Sequence, residues 1–128
     1  MLRIAFIFAV LIVAARPNAA AAEDAQPRQQ AIQFGHQILP ILSGHCFQCH
    51  GPDARQRQAD LRLDEEASAK QARDGGAAIV PGKSEASEVF RRIVSPDPDE
   101  RMPPEEANRP LSADQIALVK RWIDEGAV

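Results

Sequence analysis

Tyrosine is absent from this 128-residue chain, tryptophan occurs once and phenylalanine five times. So few aromatic faces exclude the stacking platforms on which single-stranded nucleic acids bind. Positive charge is not in excess either: Lys+Arg number 15 against Asp+Glu 18, for a net charge of −3. A reader of nucleic acid carries a basic patch or stripe, so no nucleic-acid partner is expected. The length allows one domain with a thin core. A small chain this poor in aromatics needs a staple, whether a disulfide, a metal or a prosthetic group. With two cysteines, one disulfide is the most it can form.

Long hydrophobic runs are scarce as well. One runs from Ile4 to Ala15, 12 residues, between Arg3 and Arg16-Pro17, with Ala20-Ala21-Ala22 following. A basic start, a short apolar stretch and small residues predict a secretory signal peptide, residues 1–22, cleaved after Ala22. The competing reading, a membrane anchor, requires about 20 apolar residues. Cleavage removes Arg3 and Arg16 and no acid, so the exported, periplasmic product is more acidic still. Residues 23–30 read as a flexible leader and 31–128 as the single domain.

Within that domain Ile32, Phe34, Ile38, Leu39 and Leu42 fall at helical spacings, and Pro40 is expected to end or bend their helix. Leu61 and Leu63 alternate in a short extended piece, and residues 64–73 suggest a helical turn or two. Ser84 is the expected N-cap of a helix to about Val94, with Ala86, Val89, Phe90 and Ile93 on one face. Ser112-Ala-Asp-Gln115 is a capping box. It opens a helix whose stripe is Ile116, Val119, Trp122 and Ile123, with Gly126 at its end. Trp122 is expected to pack this last helix on the first. The pattern predicts an all-α domain with long loops.

Chemistry concentrates at Cys46-Phe47-Gln48-Cys49-His50. A C-x-x-C-H sequence is the signature of c-type haem attachment. Thiols three positions apart reach the two vinyl groups on one haem edge, and the next residue, His50, offers an imidazole to the iron. Haem c, one and covalently bound, would also be the missing staple. Three other readings compete. A redox dithiol would want a βαβ context. Zinc would want four ligands, and only His36 and His45 could join these three. A disulfide across so short a loop would stabilise little.

Met102 is the one methionine left once Met1 is removed, and it lies between Arg101 and Pro103-Pro104. A thioether in a polar, proline-stiffened loop is an odd core residue and a good distal iron ligand. His36, or an open site, is the alternative. Arg55, Arg57, Arg62 and Arg101 are candidates to meet the haem propionates. His45 reads as a hydrogen-bonding residue. Asp97, Asp99, Glu100, Glu105 and Glu106 make the Met102 loop acidic, a feature that suits docking of a basic redox protein.

Several motifs together resemble the planctomycete-type cytochrome c domain. They are Pro40-Ile41-Leu42, Cys46-x-x-Cys49-His50-Gly51-Pro52-Asp53, Leu61-Arg62-Leu63-Asp64 and Ile79-Val80-Pro81-Gly82-Lys83. Arg91-Arg92-Ile93, Arg101-Met102-Pro103-Pro104 and Leu118-x-x-x-Trp122-Ile123-x-x-Gly126-Ala127 follow in order. The family is similar to class I cytochromes c. The resemblance implies crossing N- and C-terminal helices with long loops around one haem c. It also implies Cys46 and Cys49 as thioether sites, His50 as proximal ligand and Met102 as distal ligand. Such domains commonly lead much longer exported proteins, so either a free-standing carrier or a fragment of a longer multidomain protein is expected, with a larger exported or membrane-associated complex among its candidate partners.

The reading is therefore an exported electron-transfer protein cycling between Fe(III) and Fe(II), an electron carrier and not an enzyme. The alternatives are a haem-based sensing or ligand-binding module, and a haem-stabilised interaction domain.

Overall fold

The computed structural model describes residues 30–128, of which Ala31–Val128 form one compact unit. The expected signal peptide and nearly all of the leader lie outside the described residues. Among the described residues there are helices, turns and no strand, as an all-α domain requires. None of these helices is long and apolar enough to cross a membrane.

The first helical segment differs from expectation. Phe34–Ile38 form a π turn, and α1 (Leu39–His45) continues directly from it with Pro40 in its first turn. Proline has no N–H to donate and its ring crowds the carbonyl four residues back. The chain accommodates it by widening: Leu39 N–H bonds to the Phe34 carbonyl, five residues back. Pro40 thus opens α1 instead of ending the helix. A hinge at Cys46 leads into the one-turn helix α2 (Phe47–His50). A long polar segment then reaches α3 (Glu66–Lys70).

Helix α4 (Glu88–Ile93) begins later than expected. Ser84 does not cap it; Ser84–Ala86 form a separate 3-10 turn, and Ser84 and Ser87 are both buried. The Ser87 hydroxyl accepts from Val80 N (2.8 Å) and donates to the Lys83 carbonyl (2.9 Å). That tertiary bridge pins the Pro81-Gly82 turn and leaves α4 to start one residue on. Ala86 is accordingly exposed, whereas Phe90 and Ile93 are buried and Val89 packs against the core.

Helix α5 (Ala113–Asp124) follows its sequence closely. Ser112 Oγ accepts from Gln115 N (3.2 Å) and Gln115 Oε1 accepts from Ser112 N (2.8 Å), completing the capping box. Val119, Trp122 and Ile123 are buried against Ile38, Ile41 and Leu42. The Phe34 and Trp122 rings lie 5.5 Å apart, so the first and last helical segments meet, as expected of Trp122. The Trp122 indole also donates to the Val128 carbonyl (3.0 Å). Phe90, Ile93, Leu63 and Ile79 complete the core from the middle of the chain.

Candidate functional site

Helix α2 has too few residues to hold itself together, and its C-terminal carbonyls are satisfied from a distance. Cys49 O accepts from Gln58 N (2.7 Å) and His50 O from Leu63 N (2.8 Å). Residues 51–63 therefore fold back over the helix end. Gly51 permits this: a Cβ there would stand 2.3 Å from the Phe47 carbonyl oxygen. Arg57 ties the same turn by donating to the carbonyls of Gly51 and Pro52, each at 3.0 Å.

Beside this assembly lies a cavity of about 480 Å³. Cys46, Cys49 and His50 border it, and so does Met102, which arrives from the loop after α4. Leu61, Leu63, Ala78, Val89, Ile93 and the Pro103-Pro104 pair supply apolar walls. This size and lining suit an organic cofactor. Both cysteines are free thiols, Cys49 exposed and Cys46 half-buried, with burial pushing the Cys46 thiol up to about 11. His50 is held below the ordinary imidazole value, first by burial and further by the nearby Arg92 charge; the Gln58 backbone opposes both. A neutral ring is the form that ligates a metal.

Four side chains expected at one site, Cys46, Cys49, His50 and Met102, thus border one cavity. His36 does not: it is exposed on the π turn with Nδ1 3.0 Å from Gln33 Oε1. His45 is a hydrogen-bonding residue at the cavity rim, its Nδ1 2.9 Å from the Arg109 carbonyl and its Nε2 3.3 Å from Gln115 Nε2. The Arg109 carbonyl can only accept, so Nδ1 carries the proton there.

The arginine expectation needs correction. Arg55, Arg57, Arg62 and Arg101 do not line the cavity; Arg92 and Arg109 do. Arg57 is engaged as described, Arg62 pairs with Asp64 (2.5 Å) and Glu65, and Arg101 bonds to backbone carbonyls. Arg92 was visible in principle, because Glu88, Val89, Arg92 and Ile93 share one helical face and all four line the cavity. Arg109 carried no such signal; its place depends on contacts with Gly44 and His45, more than 60 positions away.

Among the described residues no three or more His, Cys, Asp or Glu side chains are grouped to hold a metal ion by themselves. That disfavours the zinc reading, and with no strand among the described residues the βαβ context of a redox dithiol is not found there. The fit to haem rests on His50, whose Nδ1 is buried with no hydrogen-bond partner. A buried orphan nitrogen on a ring facing an apolar cavity is costly in a purely structural histidine. Beside two free thiols on the same helical turn, it fits an imidazole kept for a ligand.

The described residues form a helical domain with a cavity of a size to hold an organic cofactor. Residues 46–106 match the family model described as Planctomycete cytochrome C, the family that the sequence motifs resemble. The cofactor that goes with this family is haem c. No curated protein and no solved structure matches the chain.

Proposed function

We propose that this chain is an exported, monohaem c-type cytochrome that carries electrons between protein partners. The observation that supports it most directly is the convergence on one cavity of Cys46, Cys49 and His50 with Met102, which comes from a distant loop. When bound, haem supplies one-electron exchange between Fe(III) and Fe(II). Cys46 and Cys49 hold it by thioethers, His50 presents its imidazole as proximal ligand, and Met102 presents its thioether as distal ligand. Arg92 and Arg109, the guanidinium groups at the cavity, meet the propionates. The apolar walls exclude water, which favours the less charged reduced state. In this reading the terminal helices adopt the class I cytochrome c arrangement, and residues 1–22 direct the chain to the periplasm.

The partner is a basic redox protein. Asp97, Asp99, Glu100, Glu105 and Glu106 flank Met102, are exposed, and form no ion pair with another described residue. Unpaired carboxylates of this kind steer a basic surface toward the site. With both His50 and Met102 given to the iron, no position would remain there for substrate, so the chain would act as a carrier and not as a catalyst.

The test is a spectrum of the full chain produced with a c-type haem maturation system. A c-type α-band on reduction that survives acid-acetone extraction is expected, with a methionine-to-iron charge-transfer band when oxidised. Met102→Ala should abolish that band and lower the potential. Loss of haem on extraction would sink the covalent assignment. An unchanged spectrum and potential in Met102→Ala would sink Met102 ligation.

A further inference from the structure

Met102 stands in the wall between two cavities. Behind it, away from the cysteines, lies a second groove of about 440 Å³. Val94, Pro96, Arg101, Leu111 and Ile116 line that groove alone, whereas Ile93, Met102 and Pro103 border both spaces. A methionine side chain is unbranched and adaptable, so its sulfur has two places to lie. Something must decide between them.

The backbone decides part of it. The chain leaves α4 at Val94 and returns at Met102, whose N–H bonds to the Arg92 carbonyl (3.1 Å). The intervening loop is closed chiefly by the Arg101 guanidinium, with Nε donating to the Ser95 carbonyl (2.8 Å) and Nη2 to the Pro96 carbonyl (3.1 Å), while Arg92 Nη1 adds a longer bond to the Glu100 carbonyl (3.3 Å). Arg101 N–H adds a bond to the Asp97 carbonyl (2.9 Å). A planar fork spans two successive carbonyls in a way a lysine ammonium does not. The charge of Arg101 is thus directed to its own loop although five carboxylates lie within five positions of it in the sequence.

We infer that Arg101 is the positioning residue that holds Met102 toward the haem cavity and against retreat into the neighbouring groove. The inference rests on Met102 ligation as proposed above. It makes departure of Met102 from iron a property of the loop closure, separate from the ligand bond.

The test uses the full haem-loaded chain and imidazole as the probe, since imidazole binds oxidised iron only after Met102 leaves. Arg101→Gln should weaken the methionine-to-iron band and speed imidazole association about tenfold, the scale of losing hydrogen bonds from a charged donor. Arg101→Lys should fall between it and the native chain. Val94→Phe, which fills the groove, should act in the opposite direction and slow association. A native-strength band with association within about twofold of native in Arg101→Gln overturns the inference. If Arg101→Gln fails to load haem, equal association rates in Arg101→Lys, Val94→Phe and the native chain overturn it instead. Absence of the band from the native protein removes the Met102 reading itself, which is a distinct failure.

Discussion

The two sides of the cavity are built from the same materials to different standards. The His50 side is a helix end closed by two backbone hydrogen bonds, Gln58 to Cys49 and Leu63 to His50. Two arginines reinforce it: Arg57 at Gly51 and Pro52, and Arg73 at the carbonyls of Ala59 (3.2 Å) and Asp60 (3.1 Å). Ala59 and Asp60 are held at φ of 53° and 49°, a left-handed conformation that costs an L-residue about 1–2 kcal/mol. Such a turn persists only where its surroundings over-determine it. The Met102 side has one backbone bond from Met102 to α4, two arginine ties, Arg101 at Ser95 and Pro96 and Arg92 at the Glu100 carbonyl (3.3 Å), no left-handed turn between Val94 and Met102, and a groove behind it. On the proposed reading the difference separates a fixed ligand from an adjustable one: the histidine is built in, whereas the methionine is held in place.

Breaking the stronger side should have the largest consequence. In Gly51→Ala the new Cβ would meet the Phe47 carbonyl oxygen at 2.3 Å, and backbone on both sides leaves little room to give. Overpacking against backbone predicts a loss of about 3 kcal/mol, read from denaturant unfolding, and poor haem incorporation. The φ at Gly51 is −132°, open to any residue, so the effect is one of space and not of backbone preference. Native stability in Gly51→Ala would mean that the turn over α2 is far softer than its hydrogen bonds indicate.

The comparison also sets an order for amide exchange. The Gln58 and Leu63 amides close the His50 side, and the Met102 amide closes the other. Opening of the Met102 loop breaks one backbone bond to its helix where the His50 side must break two, so the Met102 amide should exchange about ten- to a hundredfold faster than those of Gln58 and Leu63. Hydrogen exchange followed by NMR on the full chain measures this directly. Equal protection at the three positions would erase the distinction between the two sides.

What was legible in advance follows the range of the interactions involved. Cys46, Cys49 and His50 fall within five successive positions, so one short motif brings them to one place whatever the rest of the fold does. The capping box and stripe of α5 are likewise local, and the structure keeps them. The place of Met102 at the cavity was legible from its being the methionine left over and from its proline-rich setting. The failures lie where a distant partner overrides a local preference. Ser84 has the look of an N-cap, yet it is buried beneath α5, with its N–H donating to Asp124 Oδ1 (2.9 Å) and its hydroxyl accepting from Lys120 Nζ (3.1 Å). Pro40 breaks a helix by local rule, but one widened turn absorbs it. The arginines mislead most, because a guanidinium satisfies a carbonyl as readily as a propionate and sequence does not distinguish the two.

The smallest effect at neutral pH concerns the support beneath both sides. Asp124 is held well below the usual carboxylate range, at about 2, chiefly by the Lys120 ammonium (2.7 Å) and then by the Ser84 backbone N–H. In the unfolded chain an aspartate titrates at about 3.9. Between these values the unfolded state binds the proton and the folded state does not, so acid favours unfolding. The contribution of Asp124 is therefore complete above about pH 5 and lost as pH falls toward 2. Asp124→Asn should be less stable than the native chain at neutral pH, and the gap should close on acidification, as followed by helicity against denaturant at a series of pH values. A gap independent of pH would assign the effect to shape instead of charge. Because Asp124 anchors the turn that leads into α4, its replacement should leave the exchange ratio between Met102 and Leu63 unchanged. A selective rise at Met102 would extend the support of the adjustable ligand into α5 and make the Met102 loop part of a larger opening unit.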